Sequence, residues 1–491
     1  MIGDLARDAA PSSNPSSLTA AGDWVYFTAW DGTPLATSPN SIWRSDGTAE
    51  GTLRLGNFFA ENLRTAGHSL YFTRSNVGWT SDGTPEGTVP FVSKNVSGQA
   101  SVAFANGGTL FINGTDGLYV VSQTANAVPE PLGGVTGSRF INQAGRTFFI
   151  AKGAVWSSDG TRAGTYAAGP AFSEDIIAMA SMGGSIYYVT RSANGTTKLW
   201  RNDGTFESNV LVKSLAAYDA VLAAGERRLF FLSGGQLWVS DGTEAGTQVL
   251  TSGAAYLSTL AVAGNRAIFA RNDPANGTEP WVSDGTVAGT HLLRDISPGT
   301  LGSFPSDLTS VRGFVYFSAA DDLHGNEVWV TDGTPEGTKL AADVEPGPTA
   351  SFPHQYVEAG GRLFFTATTT ATGNELWALP LPTAAPHRQR YPDRRRGLRI
   401  KDRPLHRHLV RPIHATGDRR LRDFGRNRDV GQRLRCGVRN ADVRGRGDFE
   451  DDRRARPRRL ESRSERDVLL DASQSRRSGA AKRLGRRNHR R

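Results

Sequence analysis

From the start of the chain to about residue 382, short runs rich in β-branched and aromatic residues alternate with turn-forming polar ones. One set reads Asp307-Leu308-Thr309-Ser310-Val311, Phe314-Val315-Tyr316-Phe317-Ser318, Glu327-Val328-Trp329-Val330 and Lys339-Leu340-Ala341-Ala342. Such runs predict strands, and the short links between them predict an antiparallel meander of four, termed a to d. The c–d link, Asp332-Gly333-Thr334-Pro335-Glu336-Gly337-Thr338, is the most regular part. Proline presets φ, so a type I turn is expected over Thr334 to Gly337, with Gly337 at positive φ. Asp332 reads as a structural pin that accepts bonds from nearby N–H groups.

The set repeats. Aligned on the strand-c aromatic, the chain shows Trp43, Trp79, Tyr119, Trp156, Trp200, Trp238, Trp281, Trp329 and Trp377, spaced 36 to 48 residues apart. The pinning aspartates are Asp46, Asp82, Asp159, Asp203, Asp241, Asp284 and Asp332. The third unit is degenerate, with Tyr119 for Trp and no Asp-Gly-Thr, and the fifth lacks the closing Gly-Thr. A Trp used in nearly every unit reads as a packing anchor, with a sugar-stacking platform as the alternative.

A single four-stranded meander cannot bury both faces, and radial stacking solves that. The expected fold is therefore all-β: a β-propeller of about nine four-stranded antiparallel blades. Propellers usually have about four to eight blades. An eight-bladed ring with one unit displaced, or an open superhelix, are the alternatives. The last unit runs into Pro380-Leu381-Pro382 without a strand d, whereas Gly3 to Asp8 reads as a strand d without a blade. Pairing the two would close the ring and hide a sheet edge.

The b–c link varies most. It is long in the pairs Tyr188–Trp200, Phe269–Trp281, Phe317–Trp329 and Phe365–Trp377, longest in Phe27–Trp43, and short elsewhere. Variable loops carry function more often than constant ones. In a meander the b–c and d–a loops share one face, so binding is expected there. The long loops carry oxygen ligands: Asp321, Asp322, Asn326 and Glu327 in the eighth unit, and Asn272, Asp273, Asn276 and Glu279 in the seventh. Calcium takes six to eight such ligands. An ordinary polar hairpin explains the same residues and is the preferred reading, so no cofactor is expected.

Enzyme signatures are missing: there is no His-Glu-x-x-His, no phosphate loop, no Gly-x-Ser-x-Gly and no Cys/His zinc spacing. The expected function is non-enzymatic, a binding face for surface glycan or protein partners on a monomer. A propeller hydrolase or lyase acting on polysaccharide, with carboxylates drawn from separate blades, is the alternative by fold analogy.

The repeat resembles the bacterial family named for its Glu-Leu-Trp-x-x-Asp-Gly-Thr motif (hyalin-like repeat proteins). The resemblance covers residues 1–382. It is clearest at Glu327-Val328-Trp329, at Glu375-Leu376-Trp377, and where Asp-Gly-Thr-x-x-Gly-Thr is complete, as in Asp46 to Thr52 or Asp332 to Thr338. It implies an extracellular or cell-surface repeat protein of no settled activity. No signal peptide is visible at the N-terminus, and no apolar run is long enough for a membrane span.

Composition breaks at residue 386. Residues 386–491 hold 35 Lys+Arg against 14 Asp+Glu, leaving 22 and 34 for residues 1–385. The formal +9 thus describes neither half. The tail reads in three ways: phosphate binding to nucleic acid, a solvated disordered segment, or GC-rich DNA translated in a shifted frame. Its nearly pure Arg content, with only Lys401 and Lys482 as lysines, favours the last, and nucleic acid is not expected as a partner. The lone Cys436 lies in this tail, so the repeat body forms no disulfide.

Overall fold

The computed structural model describes residues 12–382, apart from 33–39, 91–100, 107, 123–127, 216–220 and 252–258, together with Ile2 and Leu5. Residues 33–39 of the b–c loop after Phe27 and the whole tail from residue 386 lie outside the described residues, as does all of Gly3 to Asp8 except Leu5.

The described chain folds into nine antiparallel sheets, eight of four strands and a ninth of three. In the eighth, Ser306–Val311, Phe314–Asp321, Gly325–Thr331 and Lys339–Ala342 pair in sequence order as strands a to d. Strand a of each blade lies beside strand a of the next, and strand a of blade 1 (Ser16–Ala21) lies beside that of blade 9 (His354–Ala359). The protein is a closed nine-bladed β-propeller, neither an eight-bladed ring nor an open superhelix. Among the described residues no helix is long and apolar enough to cross a membrane.

Each strand b carries a fully buried aromatic: Phe27, Phe72, Phe111, Phe149, Tyr188, Phe231, Phe269, Phe317 and Phe365. In eight blades it pairs across the ladder with the strand-c Trp, as Phe27 does with Trp43 and Phe365 with Trp377. Where the rings stack, as in Tyr188–Trp200 with centroids 6.4 Å apart, the pair adds roughly 0.5–1.5 kcal/mol beyond area burial. Blade 3 breaks the register: Phe111 faces Val120, and Tyr119 faces Ile112. Losing the Trp thus goes with a one-residue change in which side chains meet.

The c–d turn differs from its expected form. Gly337 does not take positive φ; Gly333 does, at +85°. The hydrogen-bonded turn lies one residue later than expected, with Thr338 N–H donating to Pro335 O at 3.2 Å. At the expected place the Thr334 hydroxyl substitutes for a backbone carbonyl and accepts from Gly337 N–H at 3.0 Å. Gly337 is glycine for another reason: a β-carbon there would overlap the Asp332 carboxylate. That carboxylate accepts from Thr334 N–H at 2.9 Å and from the Thr334 hydroxyl at 2.6 Å. The same bonds recur at Asp46, Asp82, Asp159, Asp241 and Asp284. In blade 5, Asp203 keeps them, and Ser208 does the work of the missing closing Thr by donating to Thr205 O at 2.8 Å.

The first glycine of the motif also joins blades. A side chain from strand b of the preceding blade covers it: Trp24 on Gly83, Phe148 on Gly204, Tyr187 on Gly242, Arg228 on Gly285, Arg266 on Gly333. Arg362 of blade 9 covers Gly47 of blade 1 in the same way, so this side of the ring closes by the ordinary repeat contact.

Candidate binding face

The opposite side, formed by the b–c and d–a loops, separates the blades into two kinds. Blades 2, 4 and 6 turn from b to c through two residues at positive φ: Ser75 and Asn76, Lys152 and Gly153, Gly234 and Gly235. These match the twist of the flanking strands and make the tightest hairpins available. Blades 7, 8 and 9 use three-residue loops followed by a glycine at positive φ, namely Gly277, Gly325 and Gly373. Asp321 pins the loop of blade 8 from within, its Oδ1 accepting from Leu323 N–H at 3.0 Å and His324 N–H at 2.7 Å. Asp273 does the same in blade 7 for Ala275 N–H, at 3.0 Å.

In the same three blades a glutamate two residues before the Trp is fully buried: Glu279, Glu327 and Glu375. Glu327 accepts four bonds from the d–a loop that follows: Val344 N–H (2.9 Å), Glu345 N–H (3.4 Å), Ser351 N–H (3.1 Å) and the Ser351 hydroxyl (2.7 Å). Glu279 holds Ile296, Ser297 and Ser303 identically. Each serine then passes the connection on. Ser303 O accepts from Ala320 N–H of blade 8, and Ser351 O from Thr368 N–H of blade 9, both at 2.8 Å. The third staple closes the ring: Glu375 takes the Ser13 N–H (2.7 Å) and hydroxyl (2.5 Å), and Ser13 O accepts from Trp30 N–H of blade 1. Ile2 also reaches blade 9, donating to Leu376 O at 3.1 Å.

Burial pushes the Glu279 and Glu327 carboxyls up from their usual range, with the donated hydrogen bonds pulling the other way. The Asp321 bond raises the His324 imidazole. On the other face, the Thr84 hydroxyl and N–H hold Asp82 below the usual carboxylate range.

The four oxygen ligands singled out for calcium have different hydrogen-bonding partners. Glu327 spends both oxygens on the d–a loop, Asp321 spends one on its own loop and bonds the His324 ring, and the backbone carbonyl of Asn326 accepts from Ser351 and Phe352 N–H groups. Asp322 is exposed. Among the described residues no group of three or more His, Cys, Asp or Glu is placed to hold a metal. Of the Trp set, Trp329 is buried and the other seven are half-buried. Trp43, Trp156, Trp238 and Trp377 donate from the indole to strand-b or hairpin carbonyls, Trp200 donates to Thr190, and Trp79 stacks with Phe72. Trp281 lies under Arg271 and Trp329 under Arg294.

Sequence reasoning missed the serines, although a signal exists: Ser13-Asn14-Pro15, Ser303-Phe304-Pro305 and Ser351-Phe352-Pro353 share a pattern. It also missed what stands between serine and proline. Asn14, Phe304 and Phe352 all have left-handed φ, from +46° to +50°. Phe304 is 56% and Phe352 63% exposed. Leu301, at 78%, and Leu323, at 73%, are also exposed, so the b–c and d–a loops of blades 7 and 8 carry four exposed apolar side chains.

No protein-family model and no curated protein matches the chain. Among solved structures it is similar to puromycin hydrolase, at 13% identity and TM-score 0.39, over 74% of this chain and 60% of that one. It is also similar to BamB from Moraxella catarrhalis (12%, TM-score 0.39, over 62% and 90%). A third is the acylaminoacyl peptidase of Pyrococcus horikoshii (10%, TM-score 0.36, over 75% and 59%). The chain spans about three-fifths of the hydrolase's and the acylaminoacyl peptidase's length. Likenesses this distant say nothing about a site.

Proposed function

We propose that the protein is a non-enzymatic β-propeller of the Glu-Leu-Trp-x-x-Asp-Gly-Thr repeat type, acting outside the cell, whose b–c/d–a face binds a protein or glycan partner. The observation that carries this reading is the contrast between the two faces. The c–d face repeats one turn with little variation, whereas the other face is elaborated in blades 7 to 9. There it is held by buried glutamates and exposes large apolar residues that the fold itself does not use. Large exposed apolar side chains gathered on one face are a feature of interaction sites. A concavity of about 230 Å³ beside blade 3, lined by Asp116, Tyr119, Gly133 and Arg162, is smaller than the roughly 300–1,000 Å³ of small-molecule sites. The weight therefore falls on the open face.

The test exchanges the b–c loops of blades 7 to 9 for the two-residue turn of blade 6. The full chain and the exchanged chain are then compared on arrays of peptides and of bacterial and host glycans. Loop-dependent binding to any array member supports the reading. Identical profiles for the two chains would remove this face from consideration.

A further inference from the structure

The chemistry of the rim over blades 7 to 9 narrows the partner, given the reading that this face binds. Its apolar members are positioned by backbone bonds, not by burial. Phe304 N–H donates to Thr278 O at 3.0 Å, and Phe352 N–H to Asn326 O at 3.2 Å. The neighbouring Ser303 and Ser351 are fixed by Glu279 and Glu327. The two phenylalanines are thus held in a backbone conformation that a bulky side chain rarely adopts, with their rings left in solvent. Asn14 at the third junction shows that the conformation itself does not need an aromatic. Leu323 stands on the b–c loop between them, since its loop joins Asp321 to Gly325 and Asn326.

Three exposed carboxylates adjoin these side chains. Asp307 follows Phe304 by three residues, Asp322 adjoins Leu323, and Asp343 lies in the d–a loop that holds Phe352; all three are exposed. Among the described residues none of them takes part in an ion pair. The basic groups nearby are engaged: Arg294 donates to Thr338 O and covers Trp329, and His324 bonds Asp321.

We infer that this rim docks a polypeptide segment of a partner protein in which apolar anchors are flanked by Lys or Arg. Aliphatic Leu301 and Leu323, being among the most exposed members, suit apolar side chains and offer a sugar ring neither a flat aromatic face nor a hydrogen bond. The unpaired carboxylates complement cations and would raise the association rate. The Arg-rich residues 386–491 share the sign of such a peptide and cannot account for its capture.

The experiment uses the full chain on a synthetic peptide library with paired Leu, Phe or Trp anchors, flanked by lysine in one arm and by glutamate in the other. A glycan array runs in parallel. Expected is capture of the lysine arm only, weakened at least tenfold by Leu323→Ser with Phe352→Ser. Asp322→Asn with Asp343→Asn should flatten its salt dependence. All four positions are exposed, so unchanged thermal unfolding will certify folded variants. Three outcomes overturn the inference: capture of both arms alike, lysine-arm capture indifferent to the variants, or no peptide captured. Glycan binding that the same variants abolish, with no peptide captured, overturns it while leaving the face reading intact. Silence on both arrays removes both.

Discussion

Replacing Glu327 by alanine tests whether the repeat glutamate holds the ring or merely fills space. The carboxylate accepts four hydrogen bonds, three of them from Val344 N–H, Ser351 N–H and the Ser351 hydroxyl, which are buried. Leaving a buried donor unpaired costs about 1–3 kcal/mol each, so three orphaned donors set an upper range of about 3–9 kcal/mol. Two effects reduce it: the desolvation cost that raises the Glu327 pKa disappears, and water can occupy the vacated polar space. A net loss of about 2–4 kcal/mol follows, in line with breaking other buried charged contacts. At roughly 2.1 cal/mol/K of unfolding entropy per residue, a body of this size shifts by about 1.25 °C per kcal/mol, so Tm should fall about 2.5–5 °C. Gln236 occupies the same repeat position in blade 6 and is only half-buried, so Gln236→Ala should stay within about 0.5 kcal/mol. Calorimetry and urea unfolding of the two variants decide the matter. If Glu327→Ala costs no more than Gln236→Ala, the staple is not an energetic element.

Gly337→Ala should destabilise by about 1–3 kcal/mol through contact with the Asp332 carboxylate. Asp332→Gly in the same chain should recover part of that loss. Gly333→Ala, whose fault is φ +85°, should show no such recovery in a double-mutant cycle. The raised carboxyls of Glu279 and Glu327 make a contribution present at low pH and lost as pH climbs through their folded values. The stability advantage of the wild type over Glu279→Gln should therefore shrink as pH rises above 4.5; a widening gap in pH-dependent urea unfolding would contradict the assignment. Phe352→Asn should stabilise by about 0.5–1 kcal/mol, because asparagine tolerates the left-handed conformation that costs a bulky residue about 1–2 kcal/mol. A lower Tm for that variant would show that the ring makes contacts worth more than the strain.

Strand order and blade number were legible because the fold repeats its core pair. The strand-b aromatic and strand-c Trp recur in register, and only Tyr119 departs from it. The c–d turn was legible as a turn but not in its geometry. A proline followed two residues later by glycine suggests positive φ at the glycine, whereas the constraint on Gly337 comes from the carboxylate of Asp332 folding back over it. Local propensity cannot see such a contact. The face was legible from loop length, but its content was not. Acids and amides in a loop fit a polar hairpin and a calcium site alike, so sequence could not give Glu327 its role; its distances to Val344 and Ser351 show both oxygens accepting from the d–a loop. The exposed phenylalanines left no trace in hydropathy, which scores Phe as core wherever it stands.

Stability and binding meet at the same residues, and that gives a way to separate them. The staple fixes Ser351, Phe352 N–H donates to Asn326 O, and Phe352 so held stands outward with left-handed φ. A loop so held loses little entropy on binding, which is how a rigid base favours affinity. Glu327→Ala should consequently lower both Tm and capture of lysine-flanked peptides, the second because Phe352 is released to relax toward ordinary φ. Phe352→Ser should lower capture alone, leaving the four bonds at Glu327 in place. If Glu327→Ala lowers Tm but leaves peptide affinity unchanged, the rim binds without needing its base, and the strain at Phe304 and Phe352 serves closure of the ring instead.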